Sequence, residues 1–249
     1  MINDVAFFSE RGAREVNQDA ICVSARKNRG IFAVADGMGG HAGGEIASGA
    51  VVNGLKDWWD GSHFAGSQAG IDQVGAQCCS LLMNINAEVF TDFAAGGQMG
   101  GSTVAVLILW DDRYMILSAG DSRIYRAKGK TLEQLTTDDV WENLPGVKYE
   151  MSNEKVVSDA RFGKLTEALG SEERLKISRK SGVLSEREVF LLCSDGVHKY
   201  CGHRELEKIL CGGRPFRSAD RMKRLIRKCA LKGGVDDNYS AVVCKVKRG

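Results

Sequence analysis

The stretch "TVAVLILWDDRYMILSAGDSRIYRA", residues 103 to 127, holds apolar runs separated by short polar breaks. Thr103–Leu109, Tyr114–Ala119 and Ser122–Ala127 have the length and β-branched content of strands. Asp111-Asp112, between the first two runs, reads as a hairpin turn, because a short carboxylate side chain bonds its own local backbone. Hairpins between successive runs point to antiparallel sheets rather than to strands wound through crossover helices.

Further runs predict strands at Ala20–Val23, Ile31–Ala35, Val189–Cys193 and Ser240–Val246. Helical spacing shows in three places. Ile46, Ala50, Leu55 and Trp58 share a face; Ile71, Val74, Cys78, Leu81, Leu82, Ile85 and Val89 repeat at three and four; so do Met222, Leu225, Ile226 and Cys229. Residues 128–170 are the least regular part, with Gly129, Pro145, Gly146 and many charges. They read as a small, mobile insertion packed on the body, or as a long surface loop with a short helix. Two prolines in the chain, no low-complexity linker and no internal repeat leave one domain, residues 1–249.

The bulk composition excludes several classes. With 249 residues, 43% hydrophobic and 27% charged, the chain can bury a full core. A net charge of +2 is too mild for nucleic acid or an anionic membrane. "MINDVAFFSERG" has no basic start or long apolar core of a secretory signal, and "VAVLILW" is too short to span a bilayer. Eight cysteines with no CxxC pair suggest neither a zinc site nor a disulfide framework. Cys22, Cys193 and Cys244 lie in apolar runs, as buried free thiols do, so a reduced, cytoplasmic protein is expected.

Three apolar runs end alike: "IFAVADG" on Asp36, "MILSAGDSR" on Asp121 and "VFLLCSDG" on Asp195. "DDNYSAVV" sets Asp236 and Asp237 just before a strand, and Asp19 in "NQDAI" does the same. Antiparallel neighbours bring the end of one strand beside the start of the next, so these carboxylates can meet at one sheet edge. Each alone is also a good turn residue. Together, buried and repelling, they call for cations. Oxygen ligands without His or Cys select Mg²⁺ or Mn²⁺. A pair of such ions binds a phosphoryl oxygen and activates water, so the pattern reads as a metal-dependent phosphohydrolase.

The residues also resemble a family. "RGAREVNQD", "FAVADGMGGHAGGE", "GGSTV", "SAGDSRIY", "LTEALG", "LLCSDGV" and "DDNYSAVV" are similar, in order, to the motifs of the type 2C (PPM) metal-dependent serine/threonine protein phosphatases in their bacterial form. The resemblance runs from about Arg11 to Val243. It implies an α+β fold, a four-layer α-β-β-α sandwich of two antiparallel sheets flanked by helices, with a flap at about 128–170. It implies two Mn²⁺ or Mg²⁺ ions per chain, and a weak third. Asp36 would bridge the two metals, the Gly37 carbonyl would ligate one of them, and Asp195 and Asp237 the other. Asp19 would hold the centre through water, Asp121 would hold the third metal, and Arg14 would grip the substrate phosphate unless it serves only as a surface salt bridge.

Some positions depart from the family. Met38 stands where many eukaryotic members have a His proposed as general acid, and methionine cannot donate a proton. His41 is a possible acid, or simply a hydrogen-bonded loop histidine. Gln18 replaces a frequent Glu. Asp139 and Glu167 replace residues that are usually basic or polar near the flap. Asn238 is expected to shape its turn. The implied function is hydrolysis of phosphoserine and phosphothreonine in opposition to a bacterial Ser/Thr kinase. The expected partners are a phosphoprotein substrate, such as that kinase or a forkhead-associated protein; neither nucleic acid nor membrane is expected to bind. The chain is expected to be a monomer, and some members of the family serve type VI secretion. The alternatives are a catalytically silent member that binds phosphoproteins, and a two-metal nuclease or small-molecule phosphatase.

Overall fold

The computed structural model describes residues 2–40, 42–61, 69–212 and 217–247. Three strands open the chain: β1 (Ile2–Glu10), β2 (Asp19–Arg26) and β3 (Arg29–Met38). Two long helices follow, α1 (Gly43–Gly61) and α2 (Ile71–Gly96). Next come β4 (Gly101–Ser102), β5 (Val104–Trp110), β6 (Arg113–Ala119), β7 (Arg123–Lys128) and β8 (Thr131–Gln134). A 3-10 turn at Trp141–Asn143 precedes two short helices, α3 (Pro145–Glu150) and α4 (Asn153–Ser158). The rest is β9 (Ser178–Val183), β10 (Arg187–Cys193), the single helical turn α5 (Asp195–His198), α6 (His203–Leu210), α7 (Ala219–Lys232) and β11 (Tyr239–Lys247).

Two antiparallel sheets form, ordered β1-β11-β10-β7-β8 and β2-β3-β5-β6-β9, with β4 paired to β3. Their facing sides bury Phe32, Leu107, Ile116, Phe190, Leu192 and Val242 against one another. The outer side of the second sheet buries Ile31, Val106 and Ile108 under α1 and α2. The outer side of the first buries Leu191 and Val243 under α6 and α7. The four expected layers are present. The central strands read as unbroken apolar runs because both of their faces are covered.

Several expectations need correction. The β5–β6 turn is the expected hairpin, with Asp111 at φ 55°. The link from β6 to β7 is not a hairpin: the strands lie in different sheets, and residues 120–122 carry the chain across. On α1 the face is turned by one residue. Ala47, Val51, Leu55 and Trp59 are buried, whereas Ile46 is 47% exposed. Small residues decide this, because Gly44, Ala47 and Ser48 let the helix sit close to β2, where Ser48 Oγ donates to the Gln18 carbonyl at 2.6 Å. β1, β8 and β9 escape the sequence patterns; as edge strands they need only one apolar face, and β9 is mostly exposed. The irregular segment starts after β8, which belongs to the first sheet. Six described cysteines are free, but Cys201 and Cys229 are bonded, their Cα atoms 5.7 Å apart where α7 packs against the residues after α5.

Candidate metal centre

Strand register gathers the carboxylates. In the first sheet Cys193 of β10 lies opposite Arg123 of β7 and Ala241 of β11. Asp195 follows that Cys, Asp121 precedes that Arg, and Asp237 comes just before β11, so all three reach one end of the sheet. In the second sheet Asp19 of β2 is the register partner of Asp36 of β3. Thr103 joins the two groups. Asp36 N–H donates to Thr103 Oγ1 at 3.0 Å, Thr103 N–H donates to the Asp36 carbonyl at 2.9 Å, and Thr103 Oγ1 lies 2.7 Å from Ser122 Oγ on the crossing beside Asp121.

The result is a cleft of about 600 Å³ lined by Arg14, Asp36, Gly37, Asp121, Asp195 and Asp237, with Met38, Thr103, Lys199 and Asn238. Asp19 stands behind this lining, 7% exposed, its Oδ2 taking a 2.7 Å bond from Ser194 Oγ. Gly37 sits where the β3 end meets α1: a Cβ there would stand 2.3 Å from the Gly44 carbonyl oxygen and 2.6 Å from that of Gln18. Its N–H donates to that Gln18 oxygen at 3.1 Å. His41, the possible acid, lies outside the described residues.

Arg14 reaches the cleft on the loop before β2. Asn238 holds that loop: its amide donates to the Arg11 and Val16 carbonyls at 2.8 Å each and accepts from Gln18 N–H at 2.9 Å. Asn238 therefore shapes more than its own turn. One guanidinium nitrogen of Arg14 lies 2.9 Å from Asp237 Oδ2, while the side chain stays 60% exposed. The salt bridge and a place at the cleft are both present. Asp139 grips the sheet crossing, accepting from Gly120 N–H at 3.1 Å through Oδ2 and donating its own N–H to the Gly120 carbonyl at 3.0 Å. Glu167 takes the Lys176 N–H at 3.1 Å and does not line the cleft.

The charge is unbalanced. Burial, then Asp19, Asp195 and Asp121, push the Asp36 carboxyl well above its usual range. Burial pushes Asp19 up to about 6, with Asp195 and Asp237 adding repulsion against bonds from Ser240 and Ser194. Burial and Asp195 push Asp121 up to about 6 against the pull of Lys199. Asp19 Oδ1 is buried without a hydrogen-bond partner. Crowded carboxylates and an orphaned oxygen fit bound cations, and the all-oxygen set suits Mg²⁺ or Mn²⁺. Among the described residues no three acidic, His or Cys side chains close on one ion by themselves. That suits ions which keep much of their water.

Lys199 is a cation at the cleft that the sequence reading missed, and Glu15 also lines the cleft without having been singled out. The available signal for Lys199 was its spacing, four residues after Asp195 in "SDGVHK", which returns a side chain to the same helix face.

Fold and site together define a class, a phosphate-ester hydrolase that works with divalent cations. A family model for protein phosphatase 2C matches residues 9–231, and the chain belongs to that family, whose members are metal-dependent protein phosphatases. The chain is 28% identical over 235 residues to the serine/threonine phosphatase stp of Listeria monocytogenes serotype 4b, covering 93% of this chain and 91% of that one. It matches the solved structure of PppA, a key regulatory component of T6SS in Pseudomonas aeruginosa, with TM-score 0.79 and 30% identity over 98% of both chains. The serine/threonine phosphatase PstP/Ppp of Mycobacterium tuberculosis matches with TM-score 0.83 and 25% identity, over 99% of this chain and 100% of that one.

Proposed function

We infer that this chain is a protein serine/threonine phosphatase that hydrolyses phosphoserine and phosphothreonine esters at the strand-end cleft. The observation that carries the reading is the meeting of Asp36, Asp121, Asp195 and Asp237 with Arg14 around one cleft, with Asp19 behind them. Asp36, Asp195, Asp237 and the Gly37 carbonyl would hold two Mn²⁺ or Mg²⁺ ions, and Asp19 would steady them through water. When bound, such ions neutralise phosphate charge and make nearby water acidic.

The chain's own groups do the rest. Arg14 binds the phosphate through its planar fork, with Asn238 fixing the loop that presents it. Water attacks phosphorus in line, without a phosphoenzyme; among the described residues no cysteine lines the cleft to act as nucleophile. Met38 lines the cleft but has no proton to give the leaving group. The presence of Arg14, Asp36, Asp195 and Asp237 at the cleft weighs against a silent phosphoprotein-binding member.

The substrate is a phosphoprotein of a kinase circuit, either a Ser/Thr kinase or a forkhead-associated protein, and the likeness to PppA supports a place in type VI secretion control. We place the protein in the cytoplasm as a monomer; among the described residues no helix is long and apolar enough to cross a membrane. The test compares hydrolysis of a phosphoserine peptide, phenyl phosphate and nucleotides, each with chelator, Mn²⁺, Mg²⁺ or Zn²⁺. The phosphopeptide should be cleaved fastest, and only with Mn²⁺ or Mg²⁺. Full activity in chelator, or a preference for nucleotides, overturns the reading.

A further inference from the structure

Asp121 and Asp195 share one cation that belongs to the chain. Lys199 Nζ lies 2.6 Å from Asp195 Oδ2 and 3.8 Å from Asp121 Oδ2. The turn that carries it is pinned on several sides. Lys199 N–H donates to the Asp195 carbonyl at 2.9 Å, closing the helical turn that returns the side chain over Asp195. Nε2–H of buried His198 donates to the Asp121 carbonyl at 3.0 Å, tying the turn to the sheet crossing. The Tyr200 hydroxyl donates to Asp236, and Cys201 is bonded to Cys229 of α7. At the other end of the carboxylate row Arg14 pairs with Asp237, so each end carries its own cation.

We propose that the Lys199 ammonium is the resident cation between Asp121 and Asp195, so that the centre takes two exchangeable divalent ions and has no seat for a third. A divalent ion between these carboxylates would stand within ion-pair distance of the Lys199 ammonium that they already hold, and like charges that close repel. Lys199 is thus a positioning residue. It fixes Asp195 and Asp121 relative to each other through one oxygen of Asp195, while Asp36, Asp237 and the other Asp195 oxygen are left for the two ions.

The inference rests on the cleft being a divalent-cation centre, and the experiment separates the two. Full-length protein stripped by chelator is titrated with Mn²⁺ by calorimetry, alongside Lys199→Met and Lys199→Arg, with folding checked by circular dichroism. Wild type and Lys199→Arg should bind two ions, and Lys199→Met should gain a third, weaker one. Three ions on wild type, or no gain in Lys199→Met, overturns the proposal. No binding by any variant overturns the cleft reading and this inference with it. Should Lys199→Met fail to fold, amine acylation of wild type read by mass spectrometry decides: Lys199 should react at the same rate with and without Mn²⁺. Faster acylation in Mn²⁺ would show the ammonium displaced by an ion and end the proposal.

Discussion

Asp36 is held through its backbone by Thr103, and burial leaves its carboxyl among Asp19, Asp195 and Asp121. Asp36→Asn keeps the shape and removes one charge. The expected outcome is a fall in kcat of at least ~10²-fold on a phosphopeptide, the scale of losing one transition-state electrostatic contact. Its metal-free melting temperature should hold or rise, because repulsion is relieved. Asp195→Asn and Asp237→Asn should lose similar activity without that gain, since each also gives up an ion pair, with Lys199 or Arg14. Wild-type turnover in any of the three would remove that residue from the site. Arg14→Ala should raise KM more than it lowers kcat, because ground and transition states share the phosphate contact. Lysine there should rescue only part of the loss, since a point charge replaces a fork; an unchanged KM would leave Arg14 as a salt bridge only.

Two connections between elements decide whether those residues meet. Gly120 turns the chain from one sheet to the other at φ 95°, and a Cβ there would stand 2.8 Å from Thr103 Cγ2. Gly120→Ala should cost ~1–3 kcal/mol in urea unfolding, the range for strained backbone, and reduce activity more than a distant change of equal cost. Equal losses in stability and nothing in turnover would separate the crossing from the site. The Cys201–Cys229 bond closes a loop with a sequence separation of 28, which in the loop-entropy view contributes ~3–4 kcal/mol. Thiol counting in denaturant should find six reactive cysteines before reduction and eight after; Cys229→Ser should lower the urea midpoint only under oxidising conditions.

At the scale of the molecule the two sheets carry the site as a clamp carries its jaws. Asp19 and Asp36 come from one, Asp195 and Asp237 from the other, and Asp121 from the crossing between them. Ions that bind only when both sheets are in place stabilise the stacked state by mass action, ~2.7 kcal/mol per site at a hundred times Kd. Mn²⁺ should therefore raise the melting temperature of wild type, chelator should reverse the rise, and Asp36→Asn should blunt it. A melting curve indifferent to Mn²⁺ would contradict a centre shared between the sheets. Phe190→Ala, in the layer between the sheets, should cost ~3–5 kcal/mol by cavity formation and weaken the Mn²⁺ response by loosening the stack.

Local apolar pattern was enough to locate the strands with two buried faces, β5, β10 and β11, because an unbroken apolar run has few other stable places. It also determined which carboxylates end strands, since "VADG", "SAGD" and "CSDG" are local patterns. The edge strands β1 and β9 were illegible: their residues become strands through hydrogen bonds to β11 and β6, which no short window contains. The phase of α1 was set by Gly44, Ala47 and Ser48 packing beneath the cleft rather than by Ile46, and close approach is a property of two elements. Tertiary structure alone decided that β6 and β7 part company at Gly120, that Cys201 meets Cys229, and that Lys199 closes over Asp195 and Asp121. Local pattern states what a residue can do, and only the stacking of the two sheets states what stands opposite it.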